Sequence, residues 1–195
     1  MKLGPKYKIA KRLGAHIFEK TQGQKFANSE ARSKKNAKSK KPKMLSDYGK
    51  QFLEKQKLRF TYGITEGQLK KYIDSTSSQK DASNNLFSLL ERRADNVVYR
   101  MGLAKTRRMA RQLVSHGHIT INGRRITIPS YELSTSDVVG IRNGSKDSVL
   151  FTDKDFSGAP GWIQISNKDR TGTIVAHPTY KEGDTDISIP LIFEF

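Results

Sequence analysis

Apolar positions first fall into a helical rhythm at Ser46, a residue suited to cap a helix N-terminus. From there to Phe60, Tyr48, Phe52 and Leu53 can share one face, which leaves Lys50, Lys55, Lys57 and Arg59 outward, and Tyr62-Gly63 stops the helix. Thr65 and Gln68 form a capping-box pattern for the next helix, whose apolar stripe is Leu69, Tyr72 and Ile73. Residues 74–84, rich in Ser, Asn and Asp, read as a loop. The strongest periodicity follows. Leu86, Leu89, Leu90, Ala94, Val97, Val98 and Met101 recur at helical spacing and predict one helix ended by Gly102. Thr106 then caps a second helix with a buried side of Met109, Ala110, Leu113 and Val114, and Gly117 suits the left-handed residue that closes it.

After Gly117 the period changes from helical to two. Ile119 to Ile121, then Asn122-Gly123, then Arg124 to Ile128 predicts a hairpin, because Asn-Gly supplies both positive φ angles of a type I′ turn. Residues 138–141 predict a further strand, and short strands and turns continue through 162–165, 173–175 and 187–193. Ahead of Ser46 no such pattern exists. Residues 31–43 are nearly all Lys, Ser, Asn and Ala, so residues 1–45 are expected to be a basic extended arm that orders against phosphates or otherwise stays solvated.

Charge sharpens this picture. The 195 residues carry a formal net charge of +17, which in a compact free protein is only self-repulsion, so a polyanionic partner is expected. Residues 1–60 hold 18 basic and 4 acidic groups (net +14), residues 61–126 hold 12 and 5 (+7), and residues 127–195 hold 6 and 10 (−4). The last third therefore reads as scaffold or as a protein-facing surface. With 35% hydrophobic residues a core is possible, but a sizeable part of the chain must sit outside it.

Cysteine is absent, which excludes disulfides and thiolate zinc sites. The first twenty residues lack an apolar signal-peptide core, and no stretch approaches the roughly 20 apolar residues of a membrane helix. A soluble, intracellular protein is the expectation. Of the four histidines only His116 and His118 are neighbours, too few ligands for a metal, and no nucleophile elbow, P-loop or His-Glu-x-x-His pattern occurs. Gly158 to Gly161 matches a GxxG loop formally, but it lies between strands beside Asp153 and Asp155 and reads as a turn. Glu91 and Asp95, among Arg92, Arg93 and Arg100, are expected to form intrahelical salt bridges. No catalysis, cofactor or metal is predicted.

The chemistry gathers around the helix after Thr106. Arg107, Arg108, Arg111 and Ser115 share the side away from Met109, Leu113 and Val114, with Lys105 just ahead of the N-terminus. His116 and His118 flank the glycine stop, and Arg124 and Arg125 leave the hairpin turn. A planar guanidinium binds phosphate bidentately and stacks on bases, which an ammonium cannot do. Such a row can also be a solvated helix face; the hairpin arginines and the total charge favour RNA contact. Tyr7, Phe60, Tyr62 and Tyr131 could stack on bases, although aromatics at these spacings are more often core.

Residues 90–102 (Leu-Glu-Arg-Arg-Ala-Asp-Asn-Val-Val-Tyr-Arg-Met-Gly), 110–119 (Ala-Arg-Gln-Leu-Val-Ser-His-Gly-His-Ile), 122–125 (Asn-Gly-Arg-Arg) and 128–131 (Ile-Pro-Ser-Tyr) closely resemble the small-subunit ribosomal protein S-four family of bacteria and organelles. Gly4-Pro5-Lys6, the stretch from Tyr48 to Gly63 and the closing Pro-Leu-Ile-Phe-Glu-Phe extend the resemblance over essentially the whole chain. It implies an RNA-binding module at about 91–153, inserted between an N-terminal helical part (46–90) and a C-terminal segment (154–195) whose strands pack back on that part. It also implies binding to the 5′ domain of 16S-type rRNA early in assembly, with contacts to the neighbouring protein S-five and to the path by which mRNA enters. Some members carry an N-terminal cysteine zinc site; here lysines and RNA would supply the order. Ala94 stands where a larger apolar residue is common, and ending at Phe195 without the family's aromatic-Ser-basic tail implies a shortened C-terminal contact.

The expectation is therefore a non-enzymatic α+β protein of the small ribosomal subunit, cytoplasmic or organellar. The module's contact is assigned to Arg93, Lys105, Arg107, Arg108, Arg111, Gln112, Ser115, His116, His118, Asn122, Arg124, Arg125, Ser130 and Tyr131. A second footprint is assigned to Lys6, Lys8, Lys11, Arg12, Lys50, Lys55, Lys57 and Arg59. The alternatives are an RNA-modifying enzyme or an off-ribosome RNA chaperone that uses the same module.

Overall fold

The computed structural model describes residues 4–14, 17–37, 45–151, 158–181 and 185–194, with the side chains of 34–37 left aside. The side chains of the Lys34–Lys43 run, together with His16, Asp153, Asp155 and Phe195, lie outside the described residues. The class is α+β, and the chain divides into two units: residues 1–78 with 181–195, and residues 79–180.

The first unit is helical: α1 (Lys6–Leu13), α2 (Gln24–Ala37), α3 (Asp47–Tyr62), α4 (Glu66–Thr76) and a short α8 (Pro190–Phe193). The expected extended arm is thus corrected over 6–13 and 24–37. Its few apolar residues are enough because they are large and converge: Ala10, Phe18 and Phe26 are buried, with Tyr7, Ile9, Ile17 and Phe60 packed against them. Tyr7 meets Phe26 edge-on at 5.2 Å and Phe18 meets Phe60 at 6.4 Å, a preferred aromatic geometry. In α3, the Ser46 side chain accepts the Gly49 N–H as expected, but Tyr48 is 65% exposed and the buried residues are Gln56, Leu58 and Tyr62. The Thr65–Gln68 capping box forms in both directions. The closing residues, expected as a strand, form α8 instead. Pro190 opens it, as proline suits a first helical turn, and α8 packs on α3, where Ser188 N–H donates to Glu54 at 2.9 Å.

In the second unit α5 (Ala82–Glu91), α6 (Ala94–Arg100) and α7 (Arg107–Ser115) accompany a five-stranded antiparallel sheet in the order β2-β1-β3-β5-β4. The strands are β1 (Ile119–Ile121), β2 (Arg124–Ile126), β3 (Val138–Ile141), β4 (Ile163–Ser166) and β5 (Thr171–Ile174). The expected single helix over 86–101 is broken between Glu91 and Ala94, where Arg93 turns extended and bridges to Glu132. Backbone carbonyls of Pro129 and Tyr131 then accept the first N–H groups of α6, and the Arg92 carbonyl accepts Leu133 N–H. Tertiary hydrogen bonds thus replace the helical ones that periodicity alone implied. Of the residues read as one stripe, Ala94, Val97, Val98 and Met101 share a core with Leu113, Val114, Ile119, Ile121, Leu133, Val139 and Ile141.

The boundary expected at 153/154 also shifts. β5 pairs with β3, and Ile163 and Ile174 enter the same core, so 158–180 completes the second unit's sheet. Gly172 permits this: a Cβ there would come within 2.6 Å of Met101 Cε, where α6 ends against the sheet. Only the segment beyond 180 belongs with the first unit.

Candidate nucleic-acid interface

α7 is built as its sequence implies. Thr106 caps it by accepting Met109 N–H at 3.0 Å, and a Schellman motif closes it, with His118 N–H on Leu113 O and Gly117 N–H on Val114 O. Gly117 holds φ +72°, and a Cβ there would strike the guanidinium of Arg125, which lies over the glycine and donates to His116 O at 3.3 Å. The hairpin arginine is thereby drawn onto the C-terminal end of α7, where carbonyls favour a cation. Asn122 (φ +50°) and Gly123 (φ +77°) form the type I′ turn that returns β2 to this corner.

Lys105, Arg108 and Arg124 are exposed and make no side-chain hydrogen bond or ion pair with the described residues. Arg107 and Arg111 are differently placed. Arg107 Nε donates to Asn96 Oδ1 at 2.7 Å with its guanidinium 4.5 Å above the Tyr99 ring, and Arg111 Nη1 reaches Asp95 Oδ2 at 3.2 Å. Gln112, Ser115 and His116 line the same exposed side. Three candidates point elsewhere. Arg93 is 1% exposed and gripped by Asp95 at 2.7 Å, so it is removed from the contact set. The Asn122 amide is committed to β3, donating to Asp137 and accepting Val138 N–H. His118 Nδ1 pairs with Ser145 Oγ at 3.0 Å, against the edge of Phe151. Ser130 is half-buried in the loop that caps α6, whereas Tyr131 beside it is 40% exposed.

The module built from these residues matches the S4 domain over residues 92–139, and the preceding chain matches the ribosomal protein S4/S9 N-terminal domain over residues 2–91. Small ribosomal subunit protein uS4 of Sulfurihydrogenibium sp. (strain YO3AOP1) is 40% identical over 99% of this chain and 97% of its own length. The uS4 protein of Chloroflexus aurantiacus (strain ATCC 29366 / DSM 635 / J-10-fl) is also 40% identical, with the same coverage. That of Levilactobacillus brevis is 38% identical over 98% of this chain and 96% of its own length. The chain belongs to the uS4 family. That is a family of RNA-binding ribosomal proteins and not of enzymes, so the RNA-modifying alternative falls.

For a uS4-family chain the second footprint is more compensated than its sequence suggests. On α3, Lys50 pairs with Asp47 (2.9 Å), Lys57 with Glu54 (2.6 Å), and Lys55 and Arg59 both with Glu66 (2.7 and 2.8 Å). Burial would push the Glu66 carboxyl up, but Lys55 and Arg59 together hold it below its ordinary range. On α1, Lys11 Nζ is tied to Ser29 and Ser33 of α2 and Lys6 lies over Phe18, while Lys8 and Arg12 are exposed. Of the aromatics weighed for stacking, Tyr62 is buried and Tyr7 and Phe60 pack in the first unit, which leaves Tyr131. Among the described residues no three His, Asp or Glu side chains could hold a metal, and no helix is long and apolar enough to cross a membrane.

Burial, with repulsion from Arg142, His116 and Arg125, pushes the His118 imidazole below its ordinary pKa. The unfolded chain therefore takes up this proton first as pH falls, and folding stability drops from about pH 6.5 downward until the folded imidazole also protonates. Above that window His118 adds no pH dependence. Urea titrations at pH 7.5 and 5.5 should show a larger stability loss for the native chain than for His118→Gln. Equal losses would mean that the histidine is not held neutral by its surroundings.

Proposed function

We propose that the corner formed by α7, its Schellman turn and the β1–β2 hairpin is the surface by which this chain holds the 5′ domain of 16S-type rRNA. The observation that carries this reading is that α7 and its hairpin carry exposed cations together, Lys105 and Arg108 at the N-terminal end of α7 and Arg124 and Arg125 on the hairpin whose Arg125 lies against its C-terminal end, beside the outward edges of Arg107 and Arg111. Cations without internal carboxylate partners release counterions when they meet phosphates, which drives binding, while a rigid corner selects a folded shape over a uniform duplex. Gln112, Ser115 and His116 supply short-range hydrogen bonds, and Tyr131 a stacking face. Lys8 and Arg12 add a lesser contact. Early binding at a junction of rRNA helices would nucleate subunit assembly. Contacts to protein S-five and to the path by which mRNA enters would link the chain to translational accuracy, and they rest on the resemblance alone.

The test is binding of the full chain to a transcript of the small-subunit rRNA 5′ domain with Mg²⁺ over a salt series, against duplex DNA of equal length. Both should weaken steeply with salt, by a log–log slope of about 0.7–0.9 per phosphate neutralised. The transcript should be preferred by about a thousandfold or more, as specific sites are over non-specific ones. Equal affinities would reduce the corner to a generic polycation.

A further inference from the structure

Behind the arginine row of α7 lie two acids that the RNA-binding reading leaves without a role. Glu91 closes α5 and Asp95 opens α6, and their side chains are 1% and 6% exposed. An acid beside a phosphate-binding face weakens long-range attraction, so its presence needs a local reason.

The hydrogen bonds supply one. Glu91 Oε2 accepts Arg100 Nε at 2.7 Å and Asn96 Nδ2 at 2.9 Å, and Glu91 Oε1 accepts Arg100 Nη2 at 2.9 Å. The same Asn96 amide, oriented by these contacts and by its bond to the Glu91 carbonyl, turns its oxygen to Arg107 Nε at 2.7 Å. Arg107 Nη2 also lies 3.9 Å from Glu91 Oε1, and its guanidinium rests on the Tyr99 ring. Asp95 repeats the device one turn along α7: Oδ1 and Oδ2 clamp the buried Arg93, and Oδ2 takes Arg111 Nη1 at 3.2 Å. Each acid thus joins one arginine outside α7 to one on it. Two carboxylates shared among four guanidiniums leave the cluster with an excess of two positive charges.

We propose that Glu91, acting through Asn96, and Asp95 are positioning residues that fix the guanidinium planes of Arg107 and Arg111 for bidentate capture of RNA phosphates. Arg107 and Arg111 keep side-chain exposures of 21% and 37%, enough for an outer edge to meet a ligand. A solvated arginine must surrender its rotamer freedom when it binds, whereas one already held has done so in the folded protein. The planar fork rewards this, because two parallel N–H donors match two phosphate oxygens only in one orientation. The break between α5 and α6 serves the same end, because it sets Glu91 and Asn96 together behind Arg107.

This inference rests on the proposed rRNA-binding corner, and its test separates the two. Binding of the full chain to the 5′-domain transcript is measured for Glu91→Gln, Arg107→Lys, Arg107→Ala and the Glu91→Gln/Arg107→Ala pair. Pure electrostatics predicts that Glu91→Gln, one negative charge fewer, binds more tightly and that Arg107→Lys binds like the native chain. Positioning predicts the opposite sign: Glu91→Gln weakens binding about 3- to 10-fold, Arg107→Lys approaches Arg107→Ala, and Glu91→Gln has no further effect once Arg107 is alanine. The surface variant Arg107→Lys keeps the test decisive should Glu91→Gln perturb folding. Tighter binding by Glu91→Gln, with Arg107→Ala still harmful, overturns the positioning role and leaves the RNA corner standing. If Arg107→Ala and Arg111→Ala both bind as the native chain does, the corner itself is misassigned and positioning falls with it.

Discussion

Alanine at Asp95 is expected to destabilise the unit formed by residues 79–180 by about 3–5 kcal/mol, the cost of removing one partner from a buried ion pair. Arg93 is 1% exposed, and its Nε and Nη2 both donate to the Asp95 carboxylate. Without that carboxylate a buried guanidinium keeps its charge, because arginine does not deprotonate in proteins. The loss is a large share of the roughly 5–15 kcal/mol that holds a typical domain together. Trp162, the single tryptophan, packs against the affected core and reports unfolding in urea by its fluorescence. Arg93→Met/Asp95→Leu should recover most of the stability, since an apolar pair of similar size often replaces a buried ion pair at little cost. A shift below 1 kcal/mol for Asp95→Ala would show that water reaches Arg93. The double variant also frees Arg111, so it should fold well and still bind rRNA less tightly.

The largest expected effect on binding belongs to Arg108 and Arg124. Alanine at Arg108 should cost about 1–3 kcal/mol of rRNA affinity, and alanine at Arg124 a similar amount, as for other charge-assisted hydrogen bonds. The two residues stand on different elements, α7 and β2, so the double variant should approach the sum of the single losses. Each removal should also lower the log–log salt slope by about 0.7–0.9. Lys55→Ala is the contrast, because its ammonium already faces Glu66 at 2.7 Å and gives up less to RNA. Filter binding against the 5′-domain transcript at three salt concentrations distinguishes the cases. Native affinity in the double variant, or an equal loss from Lys55→Ala, would show that pairing inside the protein does not grade the cations and would undo the assignment.

Pairing is the feature that a residue count conceals. A net charge of +17 makes every lysine and arginine look available. In the fold, the four α3 cations of the second footprint each meet a carboxylate, and Arg93 is sealed in the core. In the second unit Lys105, Arg108 and Arg124 are exposed without an internal partner among the described residues, on the approach to α7, on α7 itself and on β2.

What was legible in the sequence was local. Caps at Ser46, Thr65 and Thr106, the Gly117 stop and the Asn122-Gly123 turn were all readable, because each depends on a side chain and backbone a few residues apart. The apolar stripes of α6 and α7 were equally clear, as was the family, carried by motifs that span the chain. Tertiary structure decided the rest. It broke the 86–101 stripe at Arg93, because the carbonyls of Pro129 and Tyr131, far along the chain and in no local pattern, could cap a new helix. It drew 163–174 into the module's sheet, because β3 offered a free edge and Ile163 and Ile174 found a core to enter. It also gathered three aromatic residues from separate stretches of a basic segment into a small core. Hydrogen bonding within a turn is written in neighbouring residues. Which carboxylate meets which arginine depends on distances that only the folded chain sets, and those distances decide which charges are left for RNA.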